Sequence, residues 1–179
     1  MNALVAIDEG TTNCKLGVYS DEGEQLVLVM VPTELRGDSK CGQYYDPLDM
    51  WDRICLLCQK AMSVLEQRFA KSVRICGVCV TGMGEAGLLL DENGDPVTRI
   101  IPWFDSRPAE QAKDFNRMIS REEVFRITGL QSHYIYSIYK LLWLRATQAN
   151  EYYSATHWLN VPDYISFKLC GQHGTSYSL

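Results

Sequence analysis

No stretch of this sequence stays apolar for long. The longest unbroken run, Leu26–Val31, is six residues, whereas a membrane-spanning helix needs about 20, so no such span is expected. Positive charge is also scarce. Seventeen Lys+Arg stand against twenty-two Asp+Glu, a net charge of −5, and an acidic surface is poorly suited to neutralising nucleic-acid phosphates. Met1–Glu9 has no basic segment and meets acids at Asp8 and Glu9, so no signal peptide is expected. Histidine is rare: His133, His157 and His173 are the three present, and none has the acid–Cys or acid–Ser neighbours of a catalytic triad. Cys55-Leu-Leu-Cys58 shares helical spacing with Trp51, Ile54 and Ala61, so its thiols read as helix core rather than as zinc or redox ligands, and Cys76-Gly77-Val78-Cys79 falls in a strand candidate, so no second Cys-x-x-Cys completes a zinc site with it. Seven cysteines is an odd number in a chain too large for a disulfide scaffold, which points to reduced thiols and a cytoplasmic location.

What is present is ordinary for a globular domain. Hydrophobic residues make up 46% and charged residues 22% of 179 positions, enough to bury a core within one domain. Leu4–Asp8, Lys15–Tyr19 and Gln25–Val31 read as three strands joined by short turns, an antiparallel meander that Pro32 ends. Asp46-Pro47 opens a helix of about 20 residues, with Met50, Trp51, Ile54, Leu57, Cys58, Ala61 and Leu65 on its apolar face. Val73–Val80 reads as a buried strand, with Cys76 and Cys79 on opposite faces. Gly87–Leu90 and Val97–Ile101 flank Asn93-Gly94 and read as a hairpin. Helices are expected over 108–118, 121–127, 137–148 and 161–169, with Gly129 and Gly171 as stops and Asp163 as a capping acid. The order predicts an α/β domain with a mixed sheet flanked by helices.

Asp8-Glu9-Gly10-Thr11-Thr12-Asn13-Cys14-Lys15 lies between the first two strands. Gly10 permits close backbone approach to a ligand, consecutive amides of such a turn can cradle an anion, and Asp8 at the strand end can hold Mg²⁺ through water. A plain polar β-turn is the competing reading. Asp-x-Gly-Thr-Thr at a first hairpin resembles the phosphate motif of the FGGY carbohydrate kinases. Further segments follow in that family's order: Tyr44-Tyr45-Asp46-Pro47 with Trp51, Ile75–Gly82, Gly87–Pro96, Trp103-Phe104-Asp105-Ser106-Arg107, Thr128-Gly129-Leu130, Lys140-Leu141-Leu142-Trp143, Pro162-Asp163-Tyr164, and Gly174–Ser178. The ordered set spans essentially residues 4–179.

The resemblance implies an actin-like, ribonuclease H-like ATPase domain and transfer of the γ-phosphoryl of ATP to a sugar or polyol hydroxyl. It assigns Gly10, Thr11, Thr12, Asn13 and Lys15 to the nucleotide phosphates and Asp8 to the Mg²⁺ shell. Glu9 departs from the family, whose slot is often Ile or Gln, and strand alternation would turn it away from the phosphates. Gly84-Glu85 falls where the family's sugar-contacting pair lies. Glu85 can accept from two vicinal hydroxyls or be a solvated turn acid. Trp103 can stack on a sugar face or fill core, Asp105 can accept from hydroxyls, and Arg107 is expected to brace that loop by an ion pair. The tyrosine of the glycerol-kinase polyol site falls on Ile135, between Tyr134 and Tyr136. Residues 1–179 correspond to the family's N-terminal domain. Its catalytic aspartate base is expected beyond Leu179, and the adenine pocket in a C-terminal domain that these residues lack. The expected partner is a small-molecule sugar or polyol, with no nucleic acid and no membrane, and a homodimer of the full-length protein is left open. Two other readings remain: an actin-like or chaperone-like ATPase, and a non-catalytic sugar-binding module of the same fold.

Overall fold

The computed structural model describes residues 1–39, 42–69 and 72–176. Tyr177 and Ser178, the end of the last family-like segment, lie outside the described residues, as does Cys41. The apolar run Ala3–Ile7 forms β1 (Asn2–Glu9), whose burial alternates strictly, so that Ala3, Val5, Ile7 and Glu9 turn inward. β2 (Asn13–Ser20) and β3 (Gln25–Pro32) complete the expected antiparallel meander. A short ribbon, β4 (Arg36–Asp38) with β5 (Gly42–Tyr44), follows. Asp46 Oδ1 then accepts from the amides of Leu48 and Asp49 at 3.0 and 3.3 Å, so this acid caps α1 (Pro47–Phe69) as its position predicts. α1 carries the chain across the sheet, and β6 (Arg74–Gly82) adds parallel to β1, giving the order β3-β2-β1-β6. The sheet is therefore mixed.

One face of the sheet is packed. Ile54, Leu57, Ala61 and Leu65 of α1 close over Val5, Ile7, Leu16 and Val18, joined by Tyr164 and Ile165 of α6 (Val161–Cys170). On the other face Leu4, Leu28 and Met30 are about half exposed, at 51%, 47% and 55%. β6 is an edge strand rather than the buried strand its composition suggests, and Cys76 and Cys79 are both exposed. A bulge between its pairings with Ala3 and Leu4 falls at Cys76. Cys55 and Cys58 are partly buried, with Cys58 against the core.

The Asn93-Gly94 turn forms, with Gly94 at φ 82° and Asp91 Oδ1 accepting from the amides of Asn93 and Asp95. The expected hairpin across it does not become a ladder. Pro96 has no N–H to give, and the Leu89 amide donates to the Thr98 hydroxyl (3.0 Å) instead of to backbone. Only isolated bridges join β7 (Gly87–Leu90) to residues 96–101, and its ladder partner is β8 (His157–Asn160). The remaining helices are α2 (Ala109–Met118), α3 (Arg121–Thr128), α4 (Ser137–Thr147) and α5 (Ala149–Ser154). Gly129 and Gly171 end α3 and α6 in the left-handed conformation, as their positions predict. No described helix is long and apolar enough to cross a membrane.

Candidate functional site

Two loops leave the sheet side by side. Glu9, the last residue of β1, is in register with Gly82, the last of β6, and the Glu9 carbonyl accepts from the Met83 amide at 3.0 Å. The carboxyl ends of neighbouring parallel strands are where open α/β sheets bind ligands. The first loop, Gly10–Asn13, closes on itself as the Gly10 amide donates to the Asn13 carbonyl at 3.1 Å. Thr33, just past β3, clamps it from behind: its amide donates to the Thr12 carbonyl at 2.9 Å, and its hydroxyl lies 2.7 Å from the Gly10 carbonyl. Thr11 and Thr12 are exposed, and their amides have no hydrogen-bond partner among the described residues. That leaves adjacent donors for an anion. Asp8 and Lys15, opposite one another in the β1–β2 register, sit on the open sheet face with Oδ2 and Nζ 3.6 Å apart and both side chains nearly half exposed. Glu9 turns inward as alternation predicts and is fully buried.

The second loop carries Gly84 and Glu85. Glu85 is the one non-glycine residue at positive φ among the described residues, at 60°, a conformation that costs on the order of 1 kcal/mol and collects at functional sites. Its Oε2 accepts from the Ser137 amide at 2.5 Å and the Ser137 hydroxyl at 2.7 Å. Tyr136, the N-cap of α4, gives that helix no side-chain cap. Glu85 supplies the missing cap across space, where the helix dipole favours an anion. It is therefore not a solvated turn acid: Oε2 is engaged by α4, while no hydrogen bond to Oε1 is seen among the described residues.

Asp105 is likewise held. It is 9% exposed, and the Arg107 Nε lies 3.0 and 2.8 Å from its two oxygens, while the Arg107 amide donates to Oδ1 at 2.8 Å. Arg107 also stacks on Trp143 at 4.5 Å, so it braces the loop as expected. Trp103 is 40% exposed and meets Phe104 edge-on, which is not the environment of a core tryptophan. Ile135, in the polyol-tyrosine slot, is partly buried, with Tyr134 and Tyr136 on either side. Asp163 does not cap α6 through a side-chain bond. It lies in the first turn and accepts from the Thr175 hydroxyl at 2.8 Å.

Lys140 carries the charge opposite to both carboxylates and lies outside the site residues expected from sequence. It is fully buried on α4, donates to the Ile135 carbonyl, and its charge faces those of Glu85 and Asp105. Burial pulls its pKa down to about 8, with the two acids opposing. The available signal was a lysine four residues before the core residue Leu144, on the apolar side of a helix. A buried amine with a lowered pKa binds fewer protons folded than unfolded. Its cost is fully present below about pH 8 and is relieved as pH rises from about 8 towards 10.5. The stability of the wild-type chain relative to Lys140→Met is thus expected to climb by about 3 kcal/mol over that window. Denaturant unfolding at pH 7 and pH 10.5 measures it, and parallel curves would refute the assignment.

The chain matches the FGGY family of carbohydrate kinases, N-terminal domain, over residues 3–179. It is 23% identical to the L-fuculokinase of Escherichia coli (strain K12) over 178 residues, 98% of this chain and 37% of that protein. It is 30% identical to the glycerol kinase of Citrifermentans bemidjiense over 145 residues, 80% of this chain and 29% of that protein. Its fold superposes on the crystal structure of Plasmodium falciparum glycerol kinase with ADP at a TM-score of 0.87 and 22% identity, covering 96% of this chain and 35% of that one. The chain thus spans about a third of the length of the proteins it resembles. With the fold, the motif order and the family match in agreement, this chain belongs to the FGGY family of carbohydrate kinases and carries its N-terminal domain.

Proposed function

We propose that the protein containing this domain transfers the γ-phosphoryl of ATP to a hydroxyl of a small sugar or polyol. The observation that carries this reading is the exit of the Gly10–Asn13 and Gly82–Glu85 loops from adjacent ends of β1 and β6. Gly10, Thr11, Thr12, Asn13 and Lys15 would hold the nucleotide phosphates. Gly84, Glu85, Trp103 and Asp105 would line the acceptor side: Glu85 through its second oxygen, Trp103 by stacking on carbon, and Asp105 by fixing the loop with Arg107. Among the described residues no three His, Cys, Asp or Glu side chains gather as metal ligands. A single accessible carboxylate at Asp8 suits Mg²⁺, which keeps its waters and shares substrate phosphates. When bound, Mg²⁺ would neutralise charge on the phosphates. Positioning and charge neutralisation are most of what phosphoryl transfer asks of a protein. The acceptor oxygen forms the new bond to phosphorus, the bond to ADP breaks, and the hydroxyl proton passes to a base that we place in the polypeptide beyond Leu179, along with the adenine pocket. The homodimer is part of the same proposal for the full-length protein.

The test is ADP release by the full-length protein across pentuloses, polyols and aldonates. Release dependent on one acceptor class is expected, and the 179-residue chain alone should turn over none. ATP hydrolysis indifferent to every sugar would instead favour an actin-like or chaperone-like ATPase. Sugar binding without ADP release would favour a binding module.

A further inference from the structure

Behind the phosphate loop lies a buried polar group that the reading above does not use. Glu9 is fully buried, and its Oε1 lies 3.3 Å from the Thr33 hydroxyl and 3.6 Å from Nη2 of Arg53 in α1. Cys14 faces Glu9 in the β1–β2 register and is itself fully buried. Glu9 Oε2, Nε and Nη2 of Arg53 and the hydroxyl of fully buried Tyr45 have no hydrogen-bond partner among the described residues. A buried carboxylate so incompletely paired is poor evidence of a stabilising device, because desolvation of both charges opposes their attraction. What distinguishes this group is where it leads. The Thr33 hydroxyl has one proton and two acceptors, Glu9 Oε1 and the Gly10 carbonyl at 2.7 Å, while the Thr33 amide holds the Thr12 carbonyl. A continuous polar path therefore runs from Arg53 through Glu9 and Thr33 into Gly10–Asn13. The Glu9 backbone meanwhile fixes Met83 at the root of the acceptor-side loop.

We propose that Glu9, braced by Arg53 and acting through Thr33, is a positioning residue that sets the conformation of the phosphate loop for nucleotide. The inference rests on the assignment of Gly10–Asn13 to ATP phosphates. It does not require transfer to a sugar. Glu9 touches no ligand in this scheme, since it faces away from the exposed amides of Thr11 and Thr12.

The experiment measures ATP binding by calorimetry with Mg²⁺ present, and acceptor KM, in the full-length protein. Thr33→Val removes the hydroxyl and keeps the β-branched shape at a partly exposed position. Its Kd for ATP is expected to rise on the order of tenfold, the worth of one well-placed hydrogen bond, with acceptor KM changed less than about twofold. Thr33→Ser should restore wild-type binding. Glu9→Gln, which keeps the shape and removes the charge, should weaken ATP in the same direction. A merely structural role would lower the melting temperature of both variants and leave Kd alone. Unchanged Kd in folded Thr33→Val and Glu9→Gln overturns the positioning role. Wild-type protein that binds ATP but phosphorylates nothing overturns the kinase reading alone, because the Kd comparison still decides this one. Wild-type protein that binds no ATP overturns both.

Discussion

Replacing Asp8 by alanine in the full-length protein is expected to slow phosphoryl transfer by about 10²–10³-fold, the usual consequence of removing one preorganised electrostatic group from a charged transition state. The fold should be nearly indifferent. The Asp8 side chain is 44% exposed and its partner Lys15 46% exposed, at 3.6 Å, and pairs of this kind contribute little in water. The melting temperature should stay within about 2–4 °C of wild type. The loss should appear with a raised Mg²⁺ requirement, because Asp8 is the carboxylate that would hold the ion. Initial rates over a Mg²⁺ series measure both effects. Wild-type rates at unchanged Mg²⁺ demand would remove Asp8 from the metal shell.

Gly82→Ala should strike the fold and the site together. A Cβ at Gly82 would stand 2.6 Å from the Glu9 carbonyl oxygen and 3.2 Å from its carbonyl carbon and amide nitrogen, all backbone atoms. No rotamer can relieve that contact, so β1 and β6 must separate where both loops begin. Overpacking of this kind costs about 1–3 kcal/mol, and against backbone the upper end is expected, a fall in melting temperature of about 6–12 °C. Gly77→Ala is the matched control on the same strand. Its new Cβ would meet only a Leu4 side-chain methyl at 3.3 Å, which can shift, and Leu4 is half exposed. Equal melting temperatures for the two variants would mean that the strand ends are not held as closely as they lie.

The readable parts of this fold are those whose cause is local. Alternation in β1 fixes which residues turn inward, so Glu9 could be placed behind the phosphate loop from sequence. Asp46-Pro47 announces α1, and Gly129 and Gly171 announce helix ends. The parts that escaped depend on a partner far along the chain. β8 is four residues long, and nothing in His157–Asn160 reveals that Gly87–Leu90 will accept it as a ladder partner in preference to the near segment after Pro96. β6 has the composition of a buried strand, yet its burial depends on what lies at the sheet edge, and Cys76 and Cys79 are exposed. In the candidate site, Glu85 was legible as a position but not as a cap for α4, because Ser137 lies 52 residues away. Lys140 stayed hidden for the same reason: the acids that offset its buried charge are Glu85 and Asp105, neither of them on its own helix.

The neighbouring exits of β1 and β6 also bear on how such a domain diversifies. Adjacent strands in a sheet lie about 4.8 Å apart, a spacing set by backbone hydrogen bonds and blind to side-chain identity. Insertions and substitutions after Gly82 can reshape the second loop while the strand ends keep the two loop roots at a constant separation. The phosphate loop has no matching freedom, since Thr33, Glu9 and the Asn13 carbonyl all constrain its few residues. The two loop roots are thus tied to one backbone spacing, and of the second loop's residues Glu85 is bound to α4 whereas Gly84 has no side chain to be bound.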